Sequence, residues 1–317
     1  MSDLITHAEH HPPSHGHSHH GHSHAPTSFG RAFGIGIALN SLYVIAEAAW
    51  GVQANSLALL SDAGHNLGDV LALGLAWMAS RMVRRAPSAR YTYGLRGSSI
   101  LAALTNAVVL LVVTGGIAWA AILRLAHPEP SAGVTVMVVA AIGVAVNGVT
   151  AWMFASGRDS DVNVRAAFAH MASDALVAAG VVAAGAAIYF THWQWLDPAV
   201  SLLIGAIIVA GTWSLLRESL DLALQAVPLG VDRAAVHDYL AALPGVAEVH
   251  DLHIWGMSTT ETALTAHLVR PGAPIDDAMI HQVCMELRAR FRIDHATLQV
   301  EDGAFEHPCH LADAGVV

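Results

Sequence analysis

The sequence predicts an all-α bundle of six membrane-spanning helices followed by a small α+β domain. Three observations carry this prediction. Of the 317 residues, 54% are hydrophobic and only 13% charged, against about 25% charged in soluble domains. Six apolar stretches are each long enough to cross roughly 30 Å of hydrocarbon as a helix. After Arg217 the pattern changes to short amphipathic helices and alternating strands.

Residues 1–28 are low in complexity and dominated by histidine, as in His15-Gly16-His17-Ser18-His19-His20. They lack apolar periodicity, so a disordered tail is expected. The alternation of histidine with small residues suits a loose metal-collecting arm. From Phe29 the composition changes, and residues 29–216 are assigned to the membrane domain. The expected spans cover about 30–52, 57–82, 99–124, 132–156, 163–190 and 197–216. Turn-forming punctuation separates them, such as Gln53-Ala54-Asn55 and His127-Pro128-Glu129-Pro130. No basic segment leading into a short apolar core precedes the first span, so the spans themselves are expected to direct insertion.

All fifteen basic residues are arginine, and their placement orients the bundle. Arg31 precedes the first span; Arg81, Arg84, Arg85, Arg90 and Arg96 occupy the second connection; Arg158 and Arg165 bracket the fourth; Arg217 follows the sixth. The first and fifth connections have none. By the positive-inside rule both termini are cytoplasmic. The formal charge of −10 and the lack of a basic patch exclude nucleic acid as a partner.

Residues 217–317 are assigned to the soluble domain. A helix is expected over about 232–243, strands over about 246–256 and 261–269, a helix over about 275–292 and a last strand over about 296–301. This order predicts a two-layer fold with helices on one sheet face. Two cysteines, Cys284 and Cys309, cannot found a disulfide framework, and Cys284 falls on the apolar stripe of the second helix.

The polar residues within the spans are unevenly placed. Asn40, Tyr43 and Glu47 share one face of the first span. Asp62, His65, Asn66 and Asp69 share one face of the second, and His170, Ser173 and Asp174 lie in the fifth. The sixth is nearly free of such groups after Ser201, which predicts a peripheral position. Ionisable residues at membrane depth are costly, at least ~2.5–3.5 kcal/mol each, and usually functional. His65 with Asp69, and His170 with Asp174, repeat one spacing that stacks imidazole and carboxylate on one helical face. Together they make a two-nitrogen, two-oxygen set suited to a tetrahedral divalent metal, most naturally Zn2+. Interhelical hydrogen bonding alone is the plainer alternative, but it does not explain the shared spacing. Asp62 is read as orienting a ligand, conducting ions or bonding a neighbouring helix, and Glu47 as lining a wet vestibule or snorkelling.

In the soluble domain His250 and His267 fall on adjacent strands, where facing residues meet within about 5.5 Å. With Glu301 they make a candidate regulatory metal site, completed by Cys309 or His310. The alternative is a set of surface histidines.

These residues also carry a family resemblance. The stretch Asn55-Ser56-Leu57-Ala58-Leu59-Leu60-Ser61-Asp62-Ala63-Gly64-His65 with Asp69, the stretch Tyr93-Gly94-Leu95-Arg96, and His170-Met171-Ala172-Ser173-Asp174 resemble the cation diffusion facilitators, in particular the zinc-exporting branch. So do Val249 through Trp255 and His295 through Glu301. The resemblance implies a homodimer with six helices per subunit and a cytoplasmic metallochaperone-like (ferredoxin-like) domain. It implies exchange of cytoplasmic divalent metal for protons by alternating access, in a bacterial inner membrane with its lipid. The implied transport ligands are His65, Asp69, His170 and Asp174; the implied cytoplasmic ligands are His250, His267 and Glu301. Gly97-Ser98-Ser99 stands where many members place a glutamate, and Gln299 where some place a histidine. A membrane metal sensor without transport and an intramembrane metalloenzyme are the competing classes. The His-Glu-x-x-His signature of the latter is absent.

Overall fold

The computed structural model describes residues 31–127, 129–155, 162–272 and 277–303. The histidine-rich segment, and with it the proposed metal-collecting arm, lies outside the described residues, as do Cys309 and His310. Six long helices come first: α1 (Arg31–Gln53), α2 (Leu57–Val83), α3 (Ser98–Ala126), α4 (Gly133–Ala155), α5 (Val162–Thr191) and α6 (Leu196–Ala223). The C-terminal part follows as α7 (Arg233–Ala241), β1 (Glu248–Gly256), β2 (Thr262–Val269), α8 (Asp277–Phe291) and β3 (His295–Glu301). Among the described residues, α3, α4, α5 from Phe168 and α6 are apolar enough to cross a membrane by length and composition alone. In α2 the apolar run is interrupted by the polar groups that make the site.

Local signals set the helix ends. Asn55 turns α1 into α2 with a left-handed φ of 51°, a conformation asparagine tolerates. Ser56 then caps α2 by accepting from Leu59 N at 3.2 Å. Asp232 caps α7 by accepting from Ala234 N and Ala235 N.

Small residues bring α4 and α5 together. A Cβ on Gly133 would lie 2.9 Å from Gly185 O. Backbones approach this closely only where side chains are absent. The buried Leu59, Val136, Ala140, Val181, Ile204 and Ile208 form the bundle's apolar core.

The sequence places the sixth span at the periphery; the structure does not. Helix α6 packs on α2 and α3, and its Asp197 and Ser201 are buried at 1% exposure each. Asp197 accepts from the Ser56 hydroxyl and from Leu57 N at 2.7 Å, so it closes the start of α2 from outside the helix. Arg124 of α3 faces the same carboxylate at 3.6 Å and donates to Asn55 O and Asn55 Oδ1, each at 2.7 Å. One end of the bundle is thereby tied through the α1–α2 corner. Helix α6 also runs seven residues beyond the expected end at 216, because Glu218 and Asp221 occupy exposed positions and impose no break.

The C-terminal sheet has the order β1-β2-β3, with β1–β2 antiparallel and β2–β3 parallel. Val236, Leu240, Leu252, Leu264, Leu268, Val283 and Leu287 pack the helices on one face. The other face carries the polar side chains. The α2–α3 connection lies against this domain: Arg96 pairs with Glu261, Thr259 N donates to Ser99 Oγ at 3.1 Å, and Tyr93 meets His295 edge-on.

Candidate metal centres

Helices α2 and α5 run in opposite directions, and this sets how their ligands meet. His65 and Asp69 lie about 12 and 18 Å from the start of α2, at 1.5 Å per residue. His170 and Asp174 lie equally far from the start of α5. Antiparallel packing puts His65 level with Asp174 and Asp69 level with His170. The pairs are accordingly crossed: His65 Nε2 is 3.4 Å from Asp174 Oδ1, and His170 Nε2 is 3.3 Å from Asp69 Oδ2. A third approach, His170 Nε2 to Asp174 Oδ2, is 3.6 Å. Ligand atoms about 2.1 Å from a tetrahedral zinc are separated by ~3.4 Å, so these distances have the scale of tetrahedron edges. The ligand atoms of His65, Asp69 and Asp174 all lie within 4.8 Å of one another.

The cluster is short of counter-groups. Asp69 Oδ2, Asp174 Oδ2 and His65 Nδ1 are buried without a hydrogen-bond partner. Buried polar atoms are rarely left this way, and a divalent cation would satisfy the oxygens together. Exposure is graded along the helices. His170 is 43% and Asp69 26% exposed, whereas Asp174 is at 2%. One turn further towards the start of α2, Asp62 falls to 1%; Asn66, next to His65, is also at 1%, and Glu47 of α1 is at 0%. Ser173, grouped with the fifth-span polar residues in the sequence, instead bonds back to Ala169 O from an exposed position.

Glu47 is neither at a vestibule nor snorkelling. Tyr43 Oη donates to its Oε1 at 2.7 Å, and Asn66 Nδ2 donates to Oε2 at 3.3 Å. Gly143 of α4 makes room for this, since a Cβ there would collide with the Tyr43 hydroxyl.

In the C-terminal domain, register brings the predicted residues together. His250 pairs with His267 across β1–β2, their rings 5.2 Å apart. Glu301 reaches both: Oε1 is 3.0 Å from His267 Nδ1 and Oε2 is 3.7 Å from His250 Nε2. The ligand atoms of these three residues lie within 4.8 Å of one another. His250 Nε2 is buried and has no hydrogen-bond partner, so a neutral imidazole could use it as a metal ligand. The donor set of two imidazoles and a carboxylate fits a divalent ion.

Sequence reasoning missed Asp251. A bulge interrupts β1 between His250 and His253, and Asp251 takes a φ of 52°. Strict alternation would put His250 on the same face as Leu252 and Ile254, which are buried in the core. The extra residue turns His250 to the polar face. It also sets Asp251 Oδ2 3.5 Å from His267 Nε2 and Oδ1 2.8 Å from His253 Nε2. Cys284 is separate: burial pushes its thiol pKa up, which keeps it protonated at neutral pH.

Comparison with known proteins assigns both domains. Residues 34–222 match the cation efflux transmembrane domain, and residues 228–303 match the cytoplasmic domain of cation efflux proteins. The chain belongs to the cation efflux family, the cation diffusion facilitators. It is 38% identical over 300 residues to the metal cation efflux system protein CzcD of Cupriavidus metallidurans, covering 94% of this chain and 92% of that one. It is 34% identical over 303 residues to the zinc transporter ZitB of Escherichia coli, covering 95% of each. A cadmium, cobalt and zinc/H(+)-K(+) antiporter of Bacillus velezensis is 32% identical over 270 residues, covering 84% of this chain and 86% of that one. This cation efflux protein is therefore a multi-pass membrane transporter of metal cations. Family membership sets aside the metalloenzyme and sensor alternatives.

Proposed function

We propose that this protein exports Zn2+ from the cytoplasm in exchange for protons, with His65, Asp69, His170 and Asp174 as the transport site. The crossed His–Asp pairs carry this reading: two identical spacings on antiparallel helices converge as two nitrogens and two oxygens at mid-bundle. Thiolate-free nitrogen and oxygen ligands suit zinc, and the zinc transporter among the relatives supports that choice.

The coupling follows from competition. Zinc needs neutral imidazoles and ionised carboxylates, so metal and protons exclude one another at the same atoms. Histidine's reference pKa of about 6.5 places the exchange within a modest pH gradient. Affinity therefore rises as pH rises through that value and falls below it. Zinc enters from the near-neutral cytoplasm, the carrier reorients, and protons displace the metal on the other side. The arginine distribution supports cytoplasmic termini, with residues 29–216 forming the membrane domain and 217–317 in the cytoplasm, and the bacterial relatives support a bacterial inner membrane. The greater exposure of His170 and Asp69, the pair nearer the cytoplasmic end in this orientation, supports access from that side.

The His250, His267 and Glu301 cluster serves as a regulatory zinc site that stabilises a homodimer of C-terminal domains. Purified protein in liposomes carrying a pH gradient tests the exchange. Zinc flux is expected to follow the imposed gradient and to carry a proton counterflow. Flux indifferent to the gradient, with no proton movement, would reject antiport.

A further inference from the structure

Between α1 and α2 lies a second group of acidic and amide side chains that the four-ligand site does not use. Glu47 and Asp62 are 0% and 1% exposed, and Asn66, one turn along α2 on the face of Asp62, donates to Glu47, which brings both carboxyls to one part of the α1–α2 interface. No arginine lies on α1 after Arg31 or on α2 before Arg81, so no fixed cation of either helix accompanies them at this depth. Tyr43 Oη and Asn66 Nδ2 both donate to Glu47. Among the described residues, Asp62 Oδ1, Asp62 Oδ2 and Asn66 Oδ1 are buried and receive no hydrogen bond. Donor-less oxygens on Asp62 and Asn66, beside a second carboxyl of like charge, favour a positive ion among them.

From this geometry we propose that Glu47, Asp62 and Asn66 form a second divalent-cation site, occupied by the metal as it leaves the His–Asp site. The proposal rests on the transport reading above. Asp62 stands one turn from His65 and towards the start of α2, about 5.4 Å along the helix. In the proposed orientation that is the non-cytoplasmic side. Its all-oxygen ligands hold zinc less tightly than the imidazole-containing set. A weaker site next to a stronger one lets an ion leave as well as enter. Tyr43 and the Asn66 amide hold Glu47 in place for this role.

Cadmium NMR of the full chain in lipid nanodiscs, at saturating Cd2+, tests the proposal. The wild type is expected to show an oxygen-ligated signal that disappears in the Glu47→Gln/Asp62→Asn double variant. That signal should persist in His250→Ala/His267→Ala, which isolates it from the cytoplasmic cluster. The nitrogen-containing signal removed by Asp174→Ala should remain in the double variant, which shows that the bundle is folded. Zinc turnover of the double variant should fall about ten- to hundredfold, the range seen when groups around a metal site are removed. Absence of an oxygen-ligated signal, or its persistence in the double variant, overturns the second site. Failure of Asp174→Ala to remove the nitrogen-containing signal instead overturns the transport-site assignment.

Discussion

In the membrane domain four candidate ligands come from two helices, while in the C-terminal domain three come from three strands. The first arrangement needs only a repeated i, i+4 spacing and an antiparallel pair. The second needs a correct register on both sides of β2 and an extra residue in β1. The two also differ in surroundings: the first lies among the apolar helices of the membrane domain, the second on the polar face of a sheet outside it. A site at membrane depth cannot lose a ligand without leaving charge unanswered there. A site on the open face of a sheet can refill with water.

That contrast predicts unequal sensitivity. Replacing Asp69 or His170 by Ala should reduce zinc flux in proteoliposomes by more than about a hundredfold, because one vertex and its charge are lost together. A variant that keeps half its flux would break the contrast from the membrane side. Next in size is Asp197→Ala, which removes the acceptor for Ser56 and Leu57 N and the buried carboxylate facing Arg124. It should cost about 3 kcal/mol of stability, read as a lowered midpoint in thermal unfolding of detergent-solubilised protein. An unchanged midpoint would show that the α1–α2 corner holds without this carboxylate.

Smaller effects sharpen the cytoplasmic side. Asp251→Ala should weaken metal binding by the C-terminal domain about tenfold while leaving flux at saturating zinc near wild type, as measured by chelator competition beside transport. Flux loss matching Asp69→Ala would mean the two clusters are not functionally separate. Gly143→Ala forces the Tyr43 hydroxyl off its place on Glu47. A several-fold fall in turnover is expected, consistent with a conserved ligand set but a displaced neighbour, and about 1–3 kcal/mol of destabilisation from overpacking.

The helical parts of this protein are legible because their signals are local. Apolar length places six helices, and the His65–Asp69 and His170–Asp174 spacings mark the site before any fold is known. Their crossed pairing needs only the alternation of direction between successive spans. Asp197 was less legible, since an acidic residue beside Pro198 at a helix start reads as an exposed turn until α2 is seen packed against it. Glu47 was placed on the right face but in the wrong surroundings. Its partners Tyr43 and Asn66 come from its own helix and from α2, and the second is invisible without the interface. The bulge at Asp251 has no signal in alternation, because it is the point at which alternation fails. His250 and His267 could be paired from strand order alone; His267 faces away from the core by plain alternation in β2, whereas His250 does so only because of that single residue.

The central claim is that the crossed His–Asp pairs are the ion's path through the membrane. Zinc flux into proteoliposomes, compared between wild type and Asp174→Ala with thermal unfolding as a control for folding, addresses it most directly. The account predicts gradient-dependent flux in the wild type and flux at background level in a folded Asp174→Ala. A folded variant that transports zinc at the wild-type rate would contradict it.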